Sequence, residues 1–543
     1  MLKIASCQLN FTVGDITGNI AKINQAYIKA KQEQADLVIF SEMAITGYPA
    51  EDLVLFSEFQ NQAKKALVKL TKITKNGPAI IVGNIDNNNK TKKLYNTAFF
   101  IAEGKIIASK NKINLPNYGI FDEKRVFTPG QDNKIIKYKN INYGLLICED
   151  IWVENSANEL KKQGADIIIS INASPYELNK DKLREKQIKN IRTKTNLPII
   201  YVNQIGGQDE VVFDGGSFIL PDKNKIIYTN YWQENISYSN WQKKNKNLIY
   251  VPTKNKTKES STLSTNEHIL NALKLGLKDY IEKNNFKGVI IGMSGGIDSA
   301  ISAYLAKEAL GKNKVRLVML PYIYTSKESI KDAKECANNL GINLEIIDIK
   351  SSVDNIYAAT ADLFKDYKKD ITEENIQARI RGLMLMALSN KFGLMVLTTG
   401  NKSEMATGYA TLYGDMCGGF NLLKDLYKTK IYELAKFINK KQIIIPTNIL
   451  TKPATAELRP NQTDQDSLPA YEILDKILYE LIEERSSIAK TSTKLKLNKD
   501  LVQKIALMLK NSEYKRRQAA PGVKISKMAF GRDRRQPITN GFL

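Results

Sequence analysis

Three reactive side chains in the first half of the chain each follow or precede an apolar segment. They are Glu42 in FSEMAITGYP, Lys112 in KNKINLP and Cys148 in GLLICEDIW. A thiol, a carboxylate and an ammonium can serve as nucleophile, base and oxyanion-stabilising group, which is what the hydrolysis of an amide requires. Taken alone, Cys148 is more often a small buried hydrophobe than a nucleophile.

The histidine and cysteine content excludes several other chemistries. The chain contains one histidine, His268, so a Ser-His-Asp triad or a site with several histidine ligands has little support. A nucleophile therefore needs a carboxylate, an amine or water as its base. The four cysteines are widely spaced without a CxxC pair, so neither a zinc ribbon nor a disulfide framework is indicated.

The second half carries a glycine loop, Ser294-Gly-Gly-Ile-Asp-Ser299, between a predicted strand and a predicted helix. Backbone N–H groups at such a helix N-terminus bind anions, and glycines let phosphates approach closely. The loop lacks the Gly-Lys-Ser/Thr of a Walker A motif. Because a carboxylate beside phosphates repels them, Asp298 implies an intervening Mg²⁺. A glycine turn that only caps the helix is the simpler alternative.

The elements that position these residues alternate between strands and helices, which predicts an α/β fold. In the first half, the predicted strands are 35–40, 78–83, 142–148, 165–171 and 197–202, and a helix is predicted at 20–34. In the second half, strands at 286–293, 315–320, 344–349 and 394–398, with helices at 266–284 and 299–310, indicate a doubly wound parallel sheet. A stretch rich in Lys, Asn, Ser and Thr predicts a linker at 251–265 between domains 1–250 and 266–543.

Composition places the chain among ordinary globular proteins. It has 543 residues, 43% of them apolar and 25% charged, with 80 Lys+Arg against 57 Asp+Glu and a net charge of +23. At roughly 100–200 residues per domain, this length predicts two to four domains. The sequence shows neither a signal-peptide pattern nor a long apolar run, so we expect a cytoplasmic protein that is not bound to a membrane. The positive charge favours an anionic partner, either a nucleic acid or a small phosphorylated molecule.

The glycine loop resembles the pyrophosphate loop of the ATP pyrophosphatases, and further motifs in the second half resemble those of the NAD synthetases. These motifs, in order, are NIQARIR at 375–381, TTGNKSE at 398–404, TGYATLYGD at 407–415, KDLYKT at 424–429, KPATAELRPNQTD at 452–464, YKRRQ at 514–518 and PGVK at 521–524. The resemblance implies a Rossmann-like domain of the adenine nucleotide alpha hydrolase type, with ATP as co-substrate and Mg²⁺ as cofactor.

The same resemblance implies binding residues. ATP would be bound by Ser294, Gly295, Gly296, Asp298, Ser299, Arg379, Thr399 and Lys428. Deamido-NAD⁺ would be bound by Asn375, Glu404, Tyr409, Asp415 and Lys515. Asp298 and Glu404 would hold the metal, and Lys428, Arg379 and the basic tail would neutralise the pyrophosphate charge.

The order Glu42, Lys112, Cys148 resembles the nitrilase superfamily over residues 1–250, which implies a four-layer α-β-β-α sandwich with Glu42 as base, Cys148 as nucleophile and Lys112 as oxyanion support. On this resemblance we expect Lys112 to favour the thiolate of Cys148, and Glu149 and Asp150 to point away from it. Segments such as INASP at 171–175, VNQIGGQDE at 202–210 and FDGGS at 213–217 are similar to the glutaminase domains joined to NAD synthetases. Glutamine would be held by Tyr118, Glu123, Ser174 and Arg184, with Glu123 orienting the site.

Together the two resemblances imply a glutamine-dependent NAD⁺ synthetase whose partners are glutamine, ATP and deamido-NAD⁺. We expect a homo-oligomer that binds neither nucleic acid nor membrane, and a sealed passage for ammonia is a reasonable hypothesis. Two alternatives stay open on the sequence. One is a tRNA-modifying ATP pyrophosphatase, favoured by the net charge, and the other is an amidase fused to a nucleotide-binding module.

Overall fold

The computed structural model describes residues 1–88, 91, 93–221, 225–245, 247–252 and 263–542. The chain divides into two compact units, Met1–Leu263 and Ser264–Leu543. Most of the predicted linker, residues 253–262, lies outside the described residues, so its extent stays a prediction. Within the described ranges, no helix has the length and apolar character needed to cross a bilayer.

The first unit contains fifteen strands and four α-helices in the residues described. The strands are β1 (Leu2–Gln8), β2 (Leu37–Ile39), β3 (Ala79–Asn88), β4 (Lys93–Ala102), β5 (Lys105–Asn111), β6 (Ile135–Tyr138), β7 (Ile141–Ile147), β8 (Ile167–Asn172), β9 (Ile199–Asn203), β10 (Ile205–Gln208), β11 (Val211–Asp214), β12 (Phe218–Leu220), β13 (Ile227–Tyr228), β14 (Asn235–Lys244) and β15 (Asn247–Val251). The helices are α1 (Ile16–Gln32), α2 (Ser57–Ile73), α3 (Glu154–Lys162) and α4 (Lys180–Thr195).

These elements form a sandwich of four layers. One sheet has the order β15-β14-β1-β2-β3-β4-β5 and the other β13-β12-β9-β8-β7-β6. Apolar side chains from both sheets, such as Ile39 and Ile169, share one core between them. The outer face of the first sheet packs on α1 and α2, and that of the second on α3 and α4. The predicted α-β-β-α sandwich is confirmed.

The strands that the sequence predicted in this unit are central and parallel, whereas most of those it missed lie toward the sheet edges. β2, β7, β8 and β9 read as continuous apolar runs because both of their faces are buried. β14, NISYSNWQKK, pairs antiparallel with β1 and keeps polar residues on its partly exposed face. β15 was also missed, because its segment resembles the polar linker that follows it.

The second unit contains five strands and twelve α-helices in the part of the chain described. The strands are β16 (Val289–Gly292), β17 (Val315–Met319), β18 (Leu344–Ile346), β19 (Met395–Thr398) and β20 (Phe420–Asn421). The helices are α5 (Thr265–Lys283), α6 (Ile297–Leu310), α7 (Lys327–Leu340), α8 (Lys350–Phe364), α9 (Ile371–Phe392), α10 (Lys402–Thr407), α11 (Lys428–Ile438), α12 (Thr447–Thr451), α13 (Tyr471–Ile482), α14 (Ile488–Leu495), α15 (Lys499–Asn511) and α16 (Glu513–Arg516).

The five strands form one parallel sheet in the order β18-β17-β16-β19-β20. The order runs outward from β16 in both directions, which confirms the predicted doubly wound sheet. In such sheets ligands bind outside the carboxyl ends of the strands, at the point where the winding reverses. That point lies between β16 and β19, which lead into the Ser294–Ser299 loop and into Thr399.

Candidate active sites

Glu42, Lys112 and Cys148 converge in the first unit although they follow strands of two different sheets. Lys112 comes directly after β5, Cys148 directly after β7, and Glu42 shortly after β2. Lys112 Nζ donates to Glu42 Oε1 at 2.8 Å, and both side chains are fully buried. Cys148 is 6% exposed, and the charges of both Glu42 and Lys112 act on its thiol. The three predicted residues therefore lie near one another in the buried interior of the unit.

Glu42 is held in place by two further donors. Asn96 Nδ2 donates to Oε1 at 2.7 Å, and the backbone N–H of Ala173 donates to Oε2 at 2.9 Å. With Lys112, three donors hold one carboxylate. A buried carboxylate with this many donors keeps a defined orientation.

Glu123 is a second carboxylate on the same lysine. Lys112 Nζ lies 2.7 Å from Glu123 Oε1, which also accepts a hydrogen bond from the Tyr48 hydroxyl at 2.8 Å. One ammonium thus serves two buried carboxylates. Burial raises the pKa of Glu123 to about 7 despite the opposing effect of Lys112, and Glu42 adds to the rise. Burial alone would lower the pKa of Lys112, but the two carboxylates outweigh it and hold that pKa well above its ordinary value.

Cys148 has a backbone conformation that non-glycine residues rarely adopt. Its φ is +43°, at the start of a 3₁₀ helix that spans Cys148–Trp152. Such conformations persist where the surrounding structure enforces them, and they occur often at functional sites.

The charge of Lys112 favours the thiolate of Cys148, as expected, but burial has the larger effect on the pKa of this thiol. Burial raises the pKa of the thiol well above its usual value, and the Glu42 charge raises it further. Lys112 opposes this rise without reversing it. At rest the thiol therefore keeps its proton, which must leave as the sulfur attacks.

The residues beside the nucleophile behave differently from each other. Asp150 is fully buried and its carboxylate accepts hydrogen bonds from the backbone of Ile113 and Asn114, away from the thiol, as expected. Glu149 instead accepts a hydrogen bond from the Tyr118 hydroxyl and contributes to the raised pKa of Cys148. The charge of Glu149 therefore acts on the thiol, whereas the expectation that its side chain points away from Cys148 stays a prediction.

The predicted glutamine-binding residues occupy different environments. Tyr118 is 59% exposed, and its ring packs edge-on against Phe121. Ser174 is buried, and its backbone N–H donates to Asn203 Oδ1 at 2.9 Å. Arg184 is buried and faces Asp214 at 3.4 Å. Their roles toward glutamine stay predictions.

In the second unit, the Ser294–Ser299 loop follows β16 and opens α6 as predicted. The hydroxyls of Ser294 and Ser299 lie 3.2 Å apart, and the Gly296 N–H donates to Ser294 Oγ at 3.1 Å. Gly295 has a φ of +79°, and a Cβ there would lie 2.3 Å from the carbonyl oxygen of Ser329. The loop can therefore form this turn only with glycine at 295.

The ammonium of Lys428 lies between the two carboxylates that are predicted to bind the metal. This ammonium contacts Asp298 directly and lies 3.3 Å from Glu404 Oε1. Glu404 also accepts the backbone N–H of Asn401, and Asn401 Nδ2 donates to Asp298 Oδ1 at 3.1 Å. Burial raises the pKa of Glu404 to about 8, against the lowering effect of Lys428.

The donor set at this position suits a hard cation. Mg²⁺ is commonly bound by one or two carboxylates together with phosphate oxygens and water. Asp298 and Glu404 supply two carboxylates that converge on one positive charge, which fits such an ion. Among the described residues, no group of three or more His, Cys, Asp or Glu side chains is placed to hold a metal by itself.

A cavity at the carboxyl ends of β16 and β19 gathers most of the predicted residues of the second unit. Its lining includes Ser294, Gly296, Asp298, Ser299, Thr399, Glu404, Tyr409, Asp415 and Lys428. Burial raises the pKa of Asp415 to about 6, although the Thr411 N–H donates to its carboxylate. Four predicted residues, Gly295, Asn375, Arg379 and Lys515, are not among the lining residues.

Arg381 lines the cavity, whereas Arg379, which the sequence predicted to bind ATP, is not among the lining residues and its role stays a prediction. Arg379 is exposed and donates to the carbonyl of Leu412 at 3.3 Å. Arg381 is partly buried, and the loss of hydration lowers its pKa to about 10, while its Nε donates to the Leu320 carbonyl at 2.9 Å. Ala378, Arg381 and Leu385 all line the cavity and lie on one face of α9. In the sequence, the helical spacing between the small residue Ala378 and Arg381 was the signal that could have identified Arg381.

Other lining residues that the sequence reasoning missed come from the segment after α12. Lys452 Nζ lies 2.8 Å from Asp332, and Glu457 accepts hydrogen bonds from the Ser326 and Ser329 hydroxyls. Asp464 accepts the Tyr471 hydroxyl at 2.7 Å. These residues belong to the motif KPATAELRPNQTD at 452–464, which the sequence shows without revealing the contacts of its individual side chains.

Much of the basic tail has internal partners. Arg516 and Arg534 both contact Glu513, and Arg516 also donates to the Ala406 carbonyl at 2.9 Å. Lys515 Nζ donates to the carbonyls of Gly408 and Ala410. The prediction that the tail neutralises pyrophosphate charge is therefore not supported for Arg516 and Arg534, because their charges are paired within the unit.

Sequence profiles of two known families match the two halves of the chain. The profile described as Carbon-nitrogen hydrolase matches residues 3–245, and the profile described as NAD synthase matches residues 269–519. The two matched segments lie within the two compact units.

Relatives and solved structures match over the whole length. The Glutamine-dependent NAD(+) synthetase of Thermotoga maritima is 44% identical, over 100% of this chain and 99% of the relative. The enzyme of the same name from Acinetobacter baylyi is 42% identical, over 99% and 98%. The structure of glutamine-dependent NAD+ synthetase from Acinetobacter baumannii, in complex with adenosine diphosphate, has a TM-score of 0.80 at 39% identity and 99% coverage of both chains. The chain therefore belongs to the family of glutamine-dependent NAD⁺ synthetases.

Proposed function

We propose that this protein makes NAD⁺ from deamido-NAD⁺, ATP and glutamine, with AMP, pyrophosphate and glutamate as the other products. It would be a ligase that forms a C–N bond and takes the nitrogen from glutamine. One observation carries the proposal. The chain pairs a buried Glu42–Lys112–Cys148 constellation with a separate strand–SGGIDS–helix cavity, and relatives named for this activity match along its full length.

In the first unit, Cys148 Sγ attacks the side-chain amide carbon of glutamine while Glu42 takes the thiol proton. The thiol is protonated at rest, so proton transfer and attack belong to one step. The ammonium of Lys112 stabilises the tetrahedral oxyanion. The C–N bond then breaks, the nitrogen takes the proton from Glu42, and ammonia leaves a thioester on Cys148.

Water resolves the thioester with the same groups. Glu42 accepts a proton from the attacking water, and the C–S bond breaks to release glutamate. The sulfur recovers its proton from Glu42, which returns the site to its resting state. Glu123 shares Lys112 and thereby holds the ammonium in position through both steps.

In the second unit, a carboxylate oxygen of deamido-NAD⁺ attacks the α-phosphorus of ATP and pyrophosphate leaves. Ammonia then attacks the adenylated carbonyl carbon, loses a proton, and displaces AMP to give the amide. The N–H groups that open α6, with the Ser294 and Ser299 hydroxyls, would bind phosphate oxygens. Asp298 and Glu404 would hold Mg²⁺, which when bound supplies positive charge to the leaving pyrophosphate. The adenosine diphosphate in the Acinetobacter baumannii structure supports a nucleotide site in this family.

The test is an assay of NAD⁺ formation with glutamine or ammonium as nitrogen donor. We expect the wild type to use both, and Cys148→Ala to lose the glutamine route while keeping the ammonium route. Glutamine-driven synthesis by Cys148→Ala, or no AMP and pyrophosphate formation with deamido-NAD⁺, would refute the proposal. Amide nitrogen that is fully diluted by labelled external ammonium would argue against a sealed passage.

The alternatives are not favoured. A tRNA-modifying ATP pyrophosphatase leaves the first unit unexplained, and it predicts salt-dependent tRNA binding that a filter assay at two salt concentrations would detect. An amidase fused to a nucleotide-binding module predicts no AMP formation with deamido-NAD⁺. The cytoplasmic location is proposed on the four free cysteines, all within the described residues, since reducing compartments keep thiols unpaired.

We propose a homo-oligomer on the basis of exposed apolar side chains on two helices of the second unit. Among the residues of α8, which are all described, only Val353 is buried, and Leu363 is 74% exposed. On α9, Leu383 is 64% exposed. Exposed apolar surface of this kind is typical of an interface. Light scattering should give a mass above one chain, and Leu383→Asp should lower it; a monomeric wild type would refute this.

A further inference from the structure

The carboxylate of Asp150 joins the turn of the nucleophile to the loop of the lysine. Oδ2 accepts the backbone N–H of Ile147 at 3.3 Å, directly before Cys148 in the chain. Oδ1 accepts the N–H groups of Ile113 and Asn114 at 3.1 and 2.8 Å, directly after Lys112, and Asn114 Nδ2 at 3.0 Å. One side chain therefore spans two segments that come from different sheets.

This carboxylate is fully buried and has only a distant ion pair besides these hydrogen bonds. Its nearest cation is Lys110, whose Nζ lies 3.8 Å from Oδ2. Lys110 is itself buried, and its Nζ donates to the carbonyl of Asn111 at 2.8 Å. Burial of a charge is costly unless hydrogen bonds compensate for it, so the four donors on Asp150 are needed to keep the carboxylate where it is.

The conformation of Cys148 explains why such a link matters. A non-glycine residue at a φ of +43° is strained, and it relaxes unless neighbouring contacts hold it. The hydrogen bond from Ile147 N–H to the Asp150 carboxylate joins the residues on either side of Cys148 and stabilises the turn between them. The bonds to Ile113 and Asn114 fix the same turn relative to Lys112.

We infer that Asp150 is a positioning residue for glutamine hydrolysis, which sets the distance between the Cys148 sulfur and the Lys112 ammonium. The inference rests on the proposed glutaminase activity of the first unit. The hydrogen bonds of Asp150 go to Ile147, Ile113 and Asn114, which flank Cys148 and Lys112, so it acts through the positions of these two residues. A displacement of about 1 Å at such a site can lower the rate about 100-fold.

The principal test is Asp150→Asn in the full chain. The amide keeps the size of the side chain but puts an NH₂ donor against either Ile147 N–H or the N–H groups of Ile113 and Asn114, so one side of the link is lost. We expect kcat for glutamine hydrolysis to fall at least tenfold with less than a threefold change in KM. The pH profile of Cys148 alkylation by iodoacetamide should also shift, because the distances from the thiol to Lys112 and Glu42 change.

Asp166→Asn is the matched control. Asp166 is also buried, and its carboxylate accepts the backbone N–H of Asn142 at 2.7 Å and the Lys243 ammonium at 2.8 Å. Its partner Asn142 lies at the opposite end of β7 from Cys148, about 20 Å away if each strand residue adds about 3.3 Å. We expect this variant to lower thermal stability and to leave the alkylation profile of Cys148 unchanged.

Ammonium-driven synthesis separates loss of positioning from loss of folding, and from failure of the proposed function. It should stay at the wild-type rate in both variants, whereas a wild type without glutaminase activity would refute the proposed function itself. If Asp150→Asn does not fold, Asn114→Ala tests the inference instead, because it removes the Asn114 Nδ2 donor and leaves the Asp150 carboxylate in place. We expect a twofold to fivefold lower kcat. An unchanged kcat and alkylation profile in the folded variant, or equal effects in Asp166→Asn, would overturn the inference.

Discussion

The ammonium of Lys112 lies 2.8 Å from the carboxylate of Glu42, and water reaches neither side chain. A buried pair of this kind is sensitive to the loss of either partner, because the remaining charge is left without compensation. Here the second carboxylate, Glu123, adds a negative charge to the same ammonium. The arrangement keeps Lys112 charged and leaves Glu42 able to accept a proton from Cys148.

Glu42→Gln should block the formation of the thioester. The amide cannot take the proton that the buried thiol of Cys148 holds at rest, so we expect glutamine hydrolysis to fall by about 10²–10⁴-fold, the usual contribution of a general base. Mass spectrometry should then find no glutamyl adduct on Cys148. Glu58→Gln, on the exposed surface of α2, serves as the control and should behave as the wild type. Adduct formation by Glu42→Gln at the wild-type rate would contradict the assignment.

The stability of the first unit should fall as the pH rises through the range set by Glu123. Its pKa is about 7 in the folded chain against an ordinary value of 4.5, so between these values the folded state binds more protons than the unfolded state. Unfolding free energy then decreases with rising pH across this window and levels off above it. Denaturant titrations from pH 5 to pH 8 should show this slope in the wild type.

Glu123→Gln removes the titrating group and should flatten that slope. The amide can still accept hydrogen bonds from Lys112 and Tyr48, so the variant should fold. Glu58→Gln should retain the slope of the wild type. A slope in Glu123→Gln that equals that of the wild type would mean that another group is responsible.

Asp298→Ala should cripple synthesis from glutamine and from ammonium alike. Both routes pass through the attack on ATP, and the variant leaves Lys428 with Glu404 alone and removes one of the two carboxylates that suit Mg²⁺. We expect a loss of at least 100-fold in pyrophosphate release. Glutamine hydrolysis by the first unit should continue. Asp354→Ala, which removes an exposed ion pair with Lys350, is the control. Normal ATP turnover in Asp298→Ala would rule out our interpretation of the loop.

Lys402→Met should destabilise the second unit strongly. Lys402 is fully buried, and its Nζ lies 2.8 Å from Asp425 and 2.5 Å from Glu483. Removing one partner leaves buried carboxylates uncompensated, which typically costs about 3–5 kcal/mol. Denaturant unfolding should detect this, whereas Lys350→Met, in an exposed pair with Asp354, should change the free energy of unfolding far less. Equal stabilities of the two variants would contradict the prediction.

The sequence alone was sufficient for the central strands and for the identity of the reactive side chains. Buried parallel strands such as β8 and β16 are apolar at nearly every position, so their pattern is local and readable. Cys148 lies at the end of a predicted strand, and that position was visible without any knowledge of the strand order. Strand β5, which leads directly into Lys112, was not predicted. Strand β14, which lies between β15 and β1, was not readable, because its polar positions are typical of a loop.

Only the tertiary structure decided which charges meet. Lys428 contacts Asp298, a residue 130 positions away in the chain, and no periodicity predicts such a contact. Whether Arg379 or Arg381 lines the cavity depends on which face of α9 turns toward it. The protonated state of Cys148 depends on its burial and on the position of Glu42 in space, because a pKa is set by the dielectric surroundings and the neighbouring charges of the folded chain.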